Sequence, residues 1–164
     1  MQVHRLMAAT FLAVWFLGAT LCSAQSGNLV LAADNDDLYP SNVDANMEIQ
    51  QALTQAAKDR KHVLLVFGAN WCYDCHVLDK QLASPQVAPV LNKNYEVVNV
   101  NVGRGGKNRD ITDRYEVAIN HGIPALTVLD ANGKILFTQR HSEFVDARNL
   151  SPEDLLEFLN KWKP

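Results

Sequence analysis

Residues His62-Val-Leu-Leu-Val-Phe67 form a near-continuous apolar, β-rich run closed by Gly68. A strand with one face in water alternates apolar and polar residues, whereas a run without alternation needs cover on both faces. Such a strand belongs in the middle of a sheet with helices on either side, so this segment predicts an α/β architecture.

The flanking segments supply the cover. Residues 44–60 carry Ile49, Leu53 and Ala56 at helical spacing, and a second helix is expected from Cys72, with Cys75, Leu78 and Leu82 on one face. Ser84-Pro85 reads as the start of a short third helix, with an N-cap residue and proline at the first helical position. Residues 95–102 read as a second strand, 103–108 as a loop and 110–117 as a short helix. Two further strands, 125–129 and 134–139, flank Asp130-Ala131-Asn132-Gly133, whose Asn-Gly is a hairpin signal. Ser151-Pro152-Glu153-Asp154 is an N-terminal capping signature for a last helix with a stripe of Leu155, Leu156, Phe158, Leu159 and Trp162. This order predicts a central mixed sheet, parallel in its first half and ending in an antiparallel hairpin, flanked by helices.

Composition limits the function. With 15 Lys+Arg against 18 Asp+Glu and a pI near 5.9, the chain is unsuited to nucleic acid as its main partner. Three cysteines are too few for a disulfide scaffold. The N-terminus explains the odd count. A short polar start (His4, Arg5), an uncharged stretch over 6–21 and the small-x-small site Cys22-Ser23-Ala24 have the layout of a secretory signal peptide over residues 1–24. The apolar stretch is shorter than the ~20 residues that span a bilayer, so no stable anchor is expected. A lipoprotein attachment at Cys22 is disfavoured by bulky Leu21 before it. Residues 25–43, small, polar and acidic, are expected to be a tether, and 44–164 the folded domain. Export implies a periplasmic or secreted protein in a compartment where disulfides persist, with Cys72 and Cys75 as its remaining pair.

These two lie in Trp71-Cys72-Tyr73-Asp74-Cys75-His76. Cysteines two residues apart at a helix start can close a small disulfide ring. The first sits where unpaired backbone N–H groups and the helix dipole favour an anion, so Cys72 is the expected attacking thiolate. Cys75, on the face of Leu78 and Leu82, is shielded and suits the resolving role. His76 and Asp74 are expected to modulate the pair in opposite directions, His76 stabilising a thiolate when protonated and Asp74 opposing it.

The strand 63–67, the segment Gly68-Ala69-Asn70-Trp71-Cys72-Tyr73-Asp74-Cys75 and the later Gly122-Ile123-Pro124 together resemble the thioredoxin superfamily over residues 45–162. Within it, the chain looks most similar to small secreted thioredoxin-like proteins with one W-C-x-x-C centre. The resemblance implies a thioredoxin fold and a redox-active Cys72–Cys75 disulfide. It also implies a cis proline at Pro124 facing the cysteines, Ile123 offering backbone groups to an extended substrate, and Trp71 flanking the nucleophile. One departure is marked. Thioredoxin keeps a buried acid six positions before the first cysteine, where it helps move a proton off the resolving thiol; here that position is Val66. Glu96, Asp79 or a water are the candidate substitutes. Tyr73-Asp74 also replaces the Gly-Pro of thioredoxin, so its redox potential does not carry over.

The expectation is a monomeric thiol–disulfide oxidoreductase, a reductase or isomerase of protein disulfides, fed by a thiol donor without a bound cofactor or metal. Rival readings share the residues. C-x-x-C-H is also the attachment pattern of c-type haem, with His76 as proximal ligand and His121 or His141 as the second. Zinc lacks an obvious fourth ligand. A purely structural disulfide gains little from so short a ring, and a non-catalytic binding module is the remaining alternative. Gly103-Arg104-Gly105-Gly106-Lys107-Asn108-Arg109 lacks the phosphate-loop order and is expected to be a basic surface loop, or else a contact for an acidic partner. His121 borders the Gly-Ile-Pro turn, and Trp162 is expected in the core.

Overall fold

The computed structural model describes residues 37–164; the leader expected at 1–24, Cys22 within it, and most of the tether expected at 25–43 lie outside these residues. The apolar run forms β1 (His62–Gly68) at the centre of a four-stranded sheet of order β2-β1-β3-β4. β1 pairs in parallel with β2 (Tyr95–Asn101) and antiparallel with β3 (Ala125–Leu129), which pairs antiparallel with β4 (Ile135–Thr138). The mixed sheet expected from the element order is therefore present.

Both faces of β1 are covered. Val63, Leu65 and Phe67 pack with Ile49 and Ala56 of α1 (Ala45–Asp59) and Ile111 of α4 (Arg109–Arg114). Leu64 and Val66 point the other way, into Cys75 and Leu78 of α2 (Tyr73–Leu82), Leu91 of α3 (Ala88–Asn94), and Leu155 and Leu159 of α5 (Pro152–Trp162). Each of the fully buried Val, Leu, Ile and Phe side chains contributes about 2 kcal/mol of transfer free energy.

Local chemistry sets most boundaries. Asp44 caps α1 by accepting from the N–H groups of Asn46 and Met47, and Ser151 and Asp154 form a capping box on α5. In the hairpin, Gly133 takes φ 82° and the Asp130 carboxylate accepts from the N–H groups of Asn132 and Lys134 at 2.8 and 2.9 Å. Three expectations shift. The Ser84-Pro85 signal opens a turn, with the Val87 and Ala88 N–H groups donating to the Ser84 carbonyl, and α3 begins only at Ala88. α4 stops at Arg114 because Glu116 turns to φ 54°. Trp162 is half-buried at the rim, tilted against Phe137 with ring centroids 5.6 Å apart.

Leu38 and Tyr39, within the stretch read as a tether, are buried in the domain. Tyr39 is fully buried. Its N–H donates to Asn70 Oδ1 at 2.7 Å, and its carbonyl accepts from the side-chain amides of Asn70 at 3.1 Å and Asn101 at 2.6 Å. Its ring lies against Gly68, the last residue of β1, where a Cβ would overlap the phenol. Gly68→Ala is therefore expected to destabilise the fold by about 1–3 kcal/mol through overpacking, read as a lower midpoint in urea unfolding.

Candidate active site

β1 delivers the chain to its C-terminal end, and Ala69 to Trp71 carry it into α2. The Cys72 N–H donates to the Ala69 carbonyl at 2.9 Å, closing this turn. Cys72 is the N-cap of α2 with extended backbone, φ −84° and ψ 108°, and its sulfur accepts from the Cys75 N–H at 3.2 Å. The first-turn N–H groups of a helix have no partners of their own, so a sulfur there sits among donors and at the positive end of the helix dipole. Cys72 and Cys75 are joined by a disulfide, with Cα atoms 5.3 Å apart. Cys75 is completely buried, whereas Cys72 is 5% exposed and forms part of a groove floor.

That groove encloses about 540 Å³. Trp71 and Tyr73 form exposed lips, and Ile119, Ile123 and Val145 line its apolar side. The Ile123 carbonyl oxygen lies 3.6 Å from the Cys72 sulfur, and the Ile123–Pro124 peptide bond is cis, the isomer the resemblance implied. Gly122 before it has φ 122°, and a Cβ there would come 2.7 Å from a Val145 methyl, so a side chain would both strain the backbone and push on the groove wall. Across the groove the Trp71 indole N–H donates to the Gly103 carbonyl at 2.9 Å, and the Arg104 guanidinium sits 5.3 Å from the indole centroid.

The modulating residues are arranged differently from expectation. Asp74 was expected to oppose a thiolate at Cys72. Its carboxylate is instead held by Arg148, which donates through Nε at 3.0 Å, through a short bond from the terminal guanidinium nitrogen, and through its backbone N–H at 3.3 Å. These hydrogen bonds hold the Asp74 carboxyl below the usual carboxylate range. Arg148 also lies over the Tyr73 ring at 5.2 Å, so one side chain clamps both residues between the cysteines. His76 turns back on the preceding loop, its Nε2–H donating to the Asn70 carbonyl at 2.8 Å. A buried Cys75 and a His76 ring committed in this way do not fit attachment and ligation of a haem. His121 is exposed beside His141 and lines no part of the groove.

The candidates for the acid missing at Val66 separate clearly. Glu96 opposes Val63 at the far end of β1 and pairs with Lys61 at 2.8 Å. Asp79 stands four residues after Cys75, on the same helix face, half-buried beside Val66 and Tyr39. Burial pushes its carboxyl up, against smaller opposing effects of His76 and Lys80. Sequence reasoning missed Arg148, Asn70 and Tyr39. No local pattern marks them, because each acts on a partner 31 or more positions away.

A family model described as thioredoxin-like matches residues 44–131. Among solved structures, the disulphide isomerase from Xylella fastidiosa Temecula1 is 36% identical, with a TM-score of 0.71, covering 75% of this chain and 94% of that one. Thioredoxin from Thermus thermophilus, 20% identical with a TM-score of 0.50 over 68% of this chain and 80% of that one, shares the fold. Among curated proteins, the thiol:disulfide interchange protein DsbD of Pseudomonas fluorescens is 26% identical over 183 residues. That alignment takes in 97% of this chain but only 29% of DsbD, so the chain spans less than a third of that relative.

Two outcomes follow from the Asp74–Arg148 pair. Because the folded-state carboxyl is lowered, the pair stabilises the fold above the ordinary carboxylate range, and that contribution fades as acid titrates Asp74 through its lowered value. Arg148→Gln leaves Asp74 unbalanced two residues from Cys72. Alkylation of reduced Cys72 by iodoacetamide at pH 7 should then slow by about threefold, as expected for a like charge at partly solvated range.

Proposed function

The chain belongs to the thioredoxin-like family, and on that premise we propose that it is an exported thiol–disulfide oxidoreductase, acting as a reductase or isomerase of protein disulfides. The observation that carries this reading is the asymmetry of the pair: Cys72 opens to a groove at a helix N-terminus while Cys75 is sealed behind it. Similarity to the Xylella disulphide isomerase and to the Pseudomonas thiol:disulfide interchange protein DsbD supports it. Export is supported by the leader-like layout of residues 1–24, and a disulfide-permissive compartment suits the chemistry.

In the reduced protein the Cys72 thiolate attacks one sulfur of a substrate disulfide. A Cys72–substrate S–S bond forms as the substrate's own breaks, and the released sulfur leaves with the electron pair and takes up a proton. Cys75 then gives up its proton and attacks the Cys72 sulfur. This closes the Cys72–Cys75 disulfide and expels the second substrate sulfur as a thiolate, so two electrons have passed to the substrate. Asp79, one turn beyond Cys75, accepts the Cys75 proton in place of a strand-borne acid. Trp71 and Ile123 flank the reacting sulfur, and Pro124 fixes the direction of the Ile123 carbonyl. A dithiol protein donor restores the reduced pair. The protein works as a monomer.

Cys72→Ser is expected to cut reduction of a protein disulfide at least about a hundredfold. Cys75→Ser should instead accumulate a mixed disulfide with substrate, visible on a non-reducing gel. Undiminished activity in Cys72→Ser would sink the enzyme reading in favour of a binding module. Asp79→Asn separates chemistry from stability. A carboxyl raised by burial makes the fold lose stability as pH climbs through its folded value, so the amide should unfold at a higher temperature at pH 7. The same variant should slow resolution of the mixed disulfide on the order of a hundredfold, with the loss shrinking as the pH is raised.

A further inference from the structure

The groove above Cys72 does not end at the cysteine. Arg104, Gly105 and Ile119 line it and also line a second cavity of about 420 Å³ that reaches Arg109. The two form one cleft running from the disulfide along the loop between β2 and α4. Its charges are uneven. Asp74, at the cysteine end, is neutralised by Arg148. Arg104 lies over Trp71 and Arg109 is exposed further along, and among the described residues neither is paired with a carboxylate. Lys107, between them in sequence, donates to the Ser41 carbonyl at 2.6 Å and lines neither cavity. The carboxylates nearest in sequence are accounted for: Asp110 accepts from the Asn46 amide and pairs with Arg114 at 3.8 Å, and Asp113 is the single acid on the second cavity's wall. Two unpaired guanidiniums thus face the cleft against two carboxylates, Asp113 and the Arg148-paired Asp74, on a chain whose formal net charge is -3. The backbone turns that shape this loop, Gly103 at φ 56°, Gly105 at φ 91° and Asn108 at φ 52°, hold Arg104 beside the cysteine lip.

We propose that the preferred substrates are acidic polypeptide segments: a chain carrying Asp or Glu close to its disulfide cysteine lies along the cleft, its apolar residues on Ile119, Ile123 and Val145 and its carboxylates on Arg104 and Arg109. This rests on the oxidoreductase reading above and adds the substrate class. Arginine suits the task because its planar fork meets a carboxylate with two hydrogen bonds while its face stays stacked on Trp71. Attraction at a partly solvated cleft acts mainly on the rate of encounter and fades with salt.

The test uses the full chain, pre-reduced, and three disulfide peptides identical except for three residues beside the cysteine, which are all Glu, all Gln or all Lys. Second-order reduction rate constants are read from released peptide thiol. At low ionic strength the Glu peptide should react about tenfold faster than the Gln peptide and the Lys peptide slowest, and the Glu-to-Gln ratio should fall to about twofold at ~0.5 M salt. In the double variant Arg104→Gln with Arg109→Gln the ratio should fall to about one, and Arg104→Lys with Arg109→Lys should restore most of it. Equal rates for the three peptides overturn the substrate class while leaving the oxidoreductase intact, as does a Glu preference that survives in the double glutamine variant. Failure to reduce any of the peptides, or a protein disulfide, overturns both.

Discussion

A strand with neighbours on both edges and side chains packed on both faces cannot slide or tilt without breaking every one of those contacts. β1 is such a strand: parallel to β2, antiparallel to β3, with Val63, Leu65 and Phe67 in one core and Leu64 and Val66 in the other. Shifting its register by one residue would exchange the two sets of side chains between layers of different shape. Its C-terminal end is therefore a fixed point. The short connection through Ala69 to Trp71 then leaves α2 one place to start, with Cys72 as the cap. The position of the reactive sulfur follows from the hydrophobic packing of residues that take no part in the chemistry.

Three chain segments far apart in sequence converge on that fixed point. The segment leading into β3 contributes the Ile123 carbonyl two residues before the strand begins, the turn at Ala147–Asn149 contributes Arg148, and the loop after β2 contributes the carbonyl that holds Trp71. Two of these segments adjoin strands of the sheet, and the third is tied to α2 by Gln81, whose amide donates to the Ala147 and Leu150 carbonyls, so the groove is built from anchored parts. The electrostatic consequence is that the negative residue between the cysteines is balanced, and the helix N-terminus acts on Cys72 with little opposition.

What could be read in the sequence is what depends on neighbours along the chain. The uninterrupted run of β1 announced its double burial, Asn132-Gly133 marked the hairpin, and the two-residue spacing of Cys72 and Cys75 with Gly122-Ile123-Pro124 located the site. The start of α3 was misplaced because a serine and proline stabilise an isolated turn by the same hydrogen bond that caps a helix, and only packing decides which continues. Arg148 was out of reach for a different reason. Its partner Asp74 is 74 positions away, and nothing in the local pattern of an exposed arginine after an alanine distinguishes a clamp from a solvated charge. Tyr39 was hidden by its setting, one aromatic beside the acidic run Asp34-Asn35-Asp36-Asp37 with no strand or helix periodicity around it.

The slot occupied by Tyr39 bears on where this domain begins. Secondary structure alone would place the start at Asp44, the cap of the first helix. A chain trimmed there would leave Gly68 facing a hole the size of a phenol ring, with Asn101 and Asn70 stripped of the carbonyl they share. Packing thus reaches back past the first helix, to a residue outside any helix or strand that Gly68, Asn70 and Asn101 hold by its ring and backbone.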